Sequence, residues 1–425
     1  MKKILIIYPH FPPSNLAGVH RPRLFAQHLP SFGWEPVILT VHEKFYEETL
    51  DYNLEKLLPK DLRIEKVSAF KLTKPRLIGD IGLRAFFQLY KRAKQIIQSE
   101  KIDFLLIPIP SFYVSLLGRW LHSSTGIKYG IDYIDPWVHH FPGSNRLLSR
   151  HWLSMKIAGF LEPVAVKMAS LITGVAAGYY EGVLKRNPFL LQKAVTGAMP
   201  YGGEVSDHQR FTELNIAPYL FNKKEGKLQL VYAGAMLPKA YGPLEAIFKS
   251  IVASPTSFQQ VEFIFIGTGS RANDASSFNV KPLAVQYGLW ESIVYEYPQR
   301  YPYLDIIAHL NAADGIFILG STEPHYTPSK VYQGVMAEKP ILAVLHAASS
   351  AKSVIEESGA GKVLAFDGEN DVLFVENNFA TEFDGYVSFL KDYNAVTVKM
   401  HLFQQYSAYN VTASLAKLLN EAIRN

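Results

Sequence analysis

The segment Glu323-Pro324-His325-Tyr326-Thr327-Pro328-Ser329-Lys330-Val331-Tyr332-Gln333 gathers a carboxylate, a lysine and a carboxamide around a helix start. Pro328 precedes Ser329, a residue type that caps helices, and a helix N-terminus offers backbone donors to a phosphate. Lys330 falls in the first turn, where the helix dipole disfavours a cation. A bound anion would compensate, so the placement points to a phosphate. Gln333, one turn on, can hydrogen-bond a ribose or sugar hydroxyl.

A second carboxylate stands in Asp132-Tyr133-Ile134-Asp135-Pro136-Trp137. Pro136 stops a strand from continuing in a sheet interior, so Asp135 sits at the strand's mouth, where α/β proteins place their sites. There it can act as a base, orient a sugar hydroxyl or stabilise positive charge; an Asx turn would also use it. The loop Tyr8–Arg21 leads into a helix just after Gly18, whose N–H groups can receive a phosphate, or Gly18 is a plain turn glycine. His20 is either a catalytic group at this loop or a surface histidine. Gly234, Gly267 and Gly269 end strands, which fits close approach of a ligand or simple turn geometry. Lys239 could neutralise a diphosphate as a point charge, or be an exposed loop lysine.

Other chemistries find less support. No GxGxxG fingerprint is present, and no acidic residue stands where the ribose of NAD needs one, which counts against a dehydrogenase. His139 and His140 are adjacent rather than one turn apart, and there is no HExxH, so no metal site is expected.

The elements that position these residues alternate. Strands are expected at 3–8, 35–40, 104–108, 128–134 and 171–175, with helices at 21–32, 83–100 and 153–169. After the polar run 223–227 the pattern restarts. Strands follow at 228–232, 262–266, 292–296, 315–319 and 341–345, with helices at 243–252, 304–312 and 329–337. Strands spaced by helices imply parallel sheets, hence two doubly wound α/β units. An amphipathic helix over 401–423 closes the chain.

Length and composition bound the rest. The chain has 425 residues, 48% hydrophobic and 19% charged, enough for two or three domains. It contains no cysteine, which excludes disulfides and thiolate chemistry and fits a reducing compartment. The longest uncharged run, between Asp103 and Arg119, is broken by Pro108 and Pro110, so no spanning helix is expected. A net charge of +5 is too mild to argue for nucleic acid. The stretch 71–95 is locally basic, with Lys71, Lys74, Arg76, Arg84, Lys91, Arg92 and Lys94 among Leu77, Ile78, Ile81, Phe86 and Phe87. Such a helix can lie on an anionic membrane, or be the solvated face of an ordinary docking helix.

The chain resembles the retaining glycosyltransferases of the GT-B fold, in particular glycosyltransferase family 4. The resemblance runs through Gly18-Val19-His20-Arg21, Asp135-Pro136-Trp137, Tyr232-Ala233-Gly234, Phe265-Ile266-Gly267-Thr268-Gly269, Pro328-Ser329-Lys330 and Ala337-Glu338-Lys339-Pro340, nearly the whole length. It implies two Rossmann-like domains facing a cleft: residues 1–222 for the acceptor, 223–400 for the nucleotide-sugar, and 401–425 as a helix packing back on the first domain. It also implies a metal-independent, retaining reaction, and no Asp-x-Asp is present. The donor would lie among Gly234, Lys239, Gly267, Gly269, Glu323, Ser329, Lys330 and Gln333, with its diphosphate near Gly18 and with Asp135 facing the reacting sugar. One departure stands out. The glutamate pair common in the family falls on His325 and Gln333; the Pro-Ser-Lys entry resembles a subset of the family.

The expected function is glycosyl transfer from a nucleoside-diphosphate sugar to a saccharide or lipid-linked saccharide in cell-surface polysaccharide synthesis. The expected location is cytoplasmic, peripheral on the inner face of the membrane. The rivals are a degenerate GT-B binding module and a nucleotide-sugar epimerase of the non-hydrolysing type.

Overall fold

The computed structural model describes residues 1–73, 78–139, 147–271, 273–324 and 326–425. Lys74, Arg76, Leu77, His140 and His325 lie outside them. Two compact units divide the chain, Met1–Tyr201 with Ala408–Asn425, and Gly202–Ser407.

In the first unit seven strands form one parallel sheet: β1 (Lys2–Ile7), β2 (Trp34–Val41), β3 (Arg63–Val67), β4 (Phe104–Ile109), β5 (Tyr129–Tyr133), β6 (Leu171–Gly174) and β7 (Val195–Ala198). Their order is β3-β2-β1-β4-β5-β6-β7. Helices cover both faces, so β4 and β5 are buried throughout, and β4 reads as an unbroken apolar run. On one face lies α1 (His20–His28), with Phe25 against Ile4, Ile6 and Trp34. On the other lie α2 (Phe86–Ser99), α3 (Ser115–Thr125) and α4 (Arg150–Val166), which contribute Leu89, Leu117 and Val166 to the larger core cluster. The strand order reverses between β1 and β4. The loop after β1 therefore opens at the switch point, the usual crevice of such sheets.

The second unit repeats the plan with β8 (Leu228–Ala233), β9 (Val261–Ile266), β10 (Val294–Tyr297), β11 (Gly315–Leu319), β12 (Ile341–His346) and β13 (Gly361–Phe366), ordered β10-β9-β8-β11-β12-β13. Its helices include α5 (Val205–Glu213), α6 (Tyr241–Ala253), α7 (Tyr303–Ala312), α8 (Lys330–Met336) and α9 (Val372–Asp392). Phe258 stacks on Phe383 at 4.5 Å between ring centroids, which ties α9 onto the sheet. The switch point falls between β8 and β11, so Gly234 opens onto it. The last helix, α10 (Ala408–Arg424), belongs to the first unit and packs on α1, with Leu415 and Leu419 fully buried. Lys128 Nζ donates to the carbonyls of Ala422 (3.4 Å) and Ile423 (2.7 Å), a cation on the negative end of that helix.

The doubly wound pair of sheets matches the expected fold class, and the differences have physical reasons. The sequence reading misses β3, β7 and β13, and all three stand at sheet edges. An edge strand is paired on one side only and carries polar residues, as in Arg-Ile-Glu-Lys-Val, so no apolar run marks it. The chain passes between units after Tyr201, earlier than residue 222. Segment 202–222 is held by the second unit, where the Tyr303 hydroxyl donates to Asp207 at 2.9 Å. His309 Nε2 there accepts from the backbone N–H groups of Tyr219 and Leu220, each at 3.1 Å. The expected helix over 401–423 is two pieces, Met400–Phe403 and α10, separated by extended backbone at Ser407.

The basic stretch 71–95 also differs from expectation. Arg84 is buried, and its guanidinium donates to the carbonyls of Phe70 (3.1 Å) and Phe45 (3.3 Å). Arg92 is paired with Glu65 at 2.8 Å. Neither belongs to a free basic face.

Candidate functional site

At the carboxyl ends of the second sheet, the loops after β8 and β9 bound a recess of about 490 Å³. Met236, Tyr241, Gly267, Gly269, Asn279 and Arg300 line it. Gly267 takes φ +76°, a left-handed conformation that disfavours a side chain. At Gly269 a Cβ would stand 2.7 Å from the carbonyl of Pro298 and 2.8 Å from that of Ser277. Turn geometry and packing thus explain both glycines, and the result is a narrow loop that leaves the recess open. Gly234 ends β8, its N–H donating to the Ile266 carbonyl at 2.9 Å.

Arg300 was not anticipated from the sequence. Its positive charge acts on Lys330, the first residue of α8. Burial first, and then Arg300, lower the Lys330 pKa to about 8. The residue keeps some open surface, but protein surrounds the ammonium closely enough to strip it of water, and the downward direction follows from that crowding. Its Nζ lies 5.5 Å from the centroid of the Tyr303 ring. No carboxylate pairs with it among the described residues. A dehydrated cation without a carboxylate partner, under the field of a second cation, favours a bound anion.

Lys239 and Glu323 come together, with Nζ 3.9 Å from the Glu323 carboxylate and 3.6 Å from that of Glu369. Two carboxylates already oppose this lysine, so Lys330 is the less compensated charge. Ser329 precedes α8 but does not cap it: its backbone is already helical, and its hydroxyl accepts no N–H from the first turn. Gln333 is buried, with its carboxamide oxygen 3.0 Å from Nε2 of His208 on α5. That contact makes Nε2 the protonated nitrogen, and burial lowers the His208 pKa, so the ring is the neutral tautomer. His208 lies far from Gln333 in sequence, and no local pattern reveals the pair.

In the first unit the loop after β1 is built around Tyr8. A Cβ at Gly18 would run into the Tyr8 hydroxyl, so packing against that ring requires the glycine. Burial raises the Tyr8 pKa, and the charges of Asp135 and Glu48 raise it further. Burial and then Asp135 likewise raise Tyr201. Glu48 itself is held down at about 2: burial works against ionisation, but hydrogen bonds from His10 (Nδ1 at 2.8 Å) and from the Ser14 hydroxyl outweigh it.

Asp135 has no hydrogen-bond or ion-pair partner among the described residues. More than a third of its surface is open, yet the protein packed around its carboxyl raises the pKa to about 6 by desolvation. No Asx turn involving it occurs among the described residues. His20 opens α1 and is partly buried. The next residue, Arg21, is fully buried and makes a bidentate pair with Asp132.

Among the described residues no group of three His, Asp or Glu side chains could hold a metal. None of the described helices is long and apolar enough to cross a membrane.

No protein-family model matches the chain, and no curated protein matches it in sequence. Solved structures do match in fold. HepE from Anabaena in complex with UDP-glucose superposes with a TM-score of 0.61 at 14% identity, over 99% of this chain and 100% of that one. A glycosyltransferase from Rickettsia africae gives 0.61 at 14%, over 100% of this chain and 99% of that one. A UDP-forming α,α-trehalose-phosphate synthase from Burkholderia xenovorans, in complex with glucose-6-phosphate, gives 0.64 at 10%, over 99% and 100%. At such identities the likeness establishes the fold, two parallel-sheet α/β domains of the GT-B type.

Proposed function

We propose that this protein is a glycosyltransferase that moves a sugar from a nucleoside-diphosphate sugar to a saccharide or lipid-linked saccharide acceptor. The observation that carries the reading is the coupling of Lys330 to Arg300, a residue that lines the recess bordered by the Gly267–Gly269 loop. A dehydrated lysine without a carboxylate, next to an arginine, suits a diphosphate. The named neighbours in fold include one holding UDP-glucose and a UDP-forming synthase, which supports this ligand class.

In this reading the reaction breaks the bond between the anomeric carbon and the diphosphate oxygen, with the electron pair leaving on the phosphate. The acceptor oxygen bonds to the anomeric carbon as its proton departs. Lys330 and Arg300 stabilise the charge that grows on the leaving diphosphate, which is where preorganised cations accelerate such a step most. We assign the first unit to the acceptor, with Asp135 orienting or deprotonating a hydroxyl. Retention at the anomeric carbon, independence from a divalent metal and a role in polysaccharide synthesis at the cytoplasmic face of a membrane complete the proposal. They rest on the family resemblance.

A thermal-shift screen against UDP, GDP, dTDP and CMP tests the reading, followed by calorimetry on Lys330→Ala. A stabilising nucleoside diphosphate whose affinity drops in the variant supports it. No shift with any of the four overturns it.

One observation favours a second reading, a GT-B module that binds without transferring. Gln333 stands where a family carboxylate is common, and His208 occupies its oxygen. Nucleotide binding with no sugar transfer to any acceptor would select this alternative.

A further inference from the structure

The helix α4 is apolar on more sides than its packing needs. Its inner face buries Ala158, Ala165 and Val166 in the core. Its outer face presents Leu153, Ile157, Phe160 and Val164 at helical spacing, with Met168 just beyond its end, all exposed. Phe160 is 76% exposed and Leu153 54%. A helix that is apolar all round belongs in a core or in contact with another apolar phase. Scattered exposed apolar residues need no explanation, but a continuous stripe does.

The charges around the stripe are of one sign. The exposed ionisable residues of α4 and its end are Arg150, Lys156 and Lys167. Its one carboxylate, Glu162, is fully buried against Arg186 at 2.7 Å. The neighbouring α3 and α2 contain no acidic residue, and they add Trp120 (44% exposed), exposed Phe87, Lys91 and Lys94. None of Lys91, Lys94, Lys156 and Lys167 pairs with a carboxylate among the described residues. Helices α2, α3 and α4 pack side by side, so these residues share one layer of the first unit.

We infer that this layer docks on an anionic lipid bilayer, with Phe160 and its apolar neighbours inserted at the headgroup boundary and the lysines on acidic headgroups. Apolar insertion combined with basic flanks is what holds an interfacial helix in place. A second copy of the chain is a poorer occupant, because it would set two acid-free basic faces against each other. The inference deepens the membrane location proposed above and rests on none of the residues assigned to sugar transfer, so either can fail without the other.

The test is co-sedimentation of the full chain with vesicles of phosphatidylglycerol and phosphatidylcholine, and with phosphatidylcholine alone. Binding to the anionic vesicles that weakens as salt rises is expected, with little binding to the neutral ones. Phe160→Glu and the double variant Lys156→Glu/Lys167→Glu should each lower the anionic-vesicle partition by about tenfold or more. Val396→Glu, exposed on the other unit, should leave it unchanged. All three variants should keep the wild-type melting curve, since each position is on the surface. Absence of binding to anionic vesicles, equal binding by Phe160→Glu, or a concentration-dependent dimer abolished by Phe160→Glu without vesicle binding would each overturn the inference.

Discussion

Arg21 and Asp132 form a bidentate pair from which water is fully excluded, with Nε 2.5 Å and Nη2 2.9 Å from the two carboxylate oxygens. Further hydrogen bonds surround the pair. Arg21 Nη1 donates to the carbonyls of Met199 and Pro200, each at 2.9 Å, and the Thr173 hydroxyl donates to Asp132 at 2.7 Å. One pair thus joins the start of α1, strands β5 and β6, and the chain segment before Tyr201. Breaking a satisfied buried pair by removing one partner leaves a charge without compensation, at about 3–5 kcal/mol. Asp132→Asn should therefore lower stability by that order in urea unfolding. Thr173→Val, which removes one neutral donor, should cost about 1 kcal/mol. Equal small losses in both variants would show that the pair does not organise this end of the sheet.

Lys330 sets a pH dependence with a distinct sign. Its folded pKa of about 8 lies below the ordinary 10.5, so it is charged below about pH 8 and neutral above. If it holds the diphosphate, nucleotide affinity should fall as pH rises through that range, and Lys330→Ala should flatten this limb. Stability of the unliganded protein should move the other way. Between about 8 and 10.5 the unfolded chain binds the extra proton, so this group's contribution rises with pH. A pH-independent affinity in the wild type would remove Lys330 from the site.

Much of this architecture was legible and part was not, for reasons visible in particular residues. The central strands declare themselves because both faces are covered, as in Phe104–Ile109; the edge strand Arg63–Val67 carries no such run. Lys330 stood out in sequence because a cation opens a helix. The charge that acts on it comes from elsewhere, Arg300 on a different loop, and the Lys239–Glu323–Glu369 cluster is likewise assembled from separate loops. Gln333 was read as a free hydrogen-bonding group, but a histidine 125 residues away holds it. Local spacing records helices and strands, and long-range partnership settles the availability of a side chain.

Asp135 should give the acid limb of activity. Desolvation raises its pKa from 3.8 to about 6, so the ionised form needed to accept a hydroxyl proton is gained as pH rises through about 6. Asp135→Asn should reduce kcat strongly and abolish that limb while leaving nucleotide affinity near wild type. Its linkage to stability has the opposite sense. Between about 4 and 6 the folded chain binds the extra proton, so its contribution to stability declines as pH rises, and the asparagine variant lacks this slope. Unchanged kcat in Asp135→Asn would exclude it from the chemistry.

Gly18 offers a test between packing and ligand contact. A Cβ there would collide with the Tyr8 hydroxyl, whereas the ring carbon bearing it stands 3.2 Å away. Gly18→Ala should therefore destabilise the first unit by about 1–3 kcal/mol, the usual range for overpacking. In a Tyr8→Phe background the same change should cost much less, because the atom in the way is gone. Measured as a double-mutant cycle, the interaction term should be well above the few tenths of a kcal/mol typical of uncoupled sites. If Gly18 serves a phosphate instead, Gly18→Ala should weaken nucleotide binding equally in both backgrounds, and the stability cycle should show no coupling.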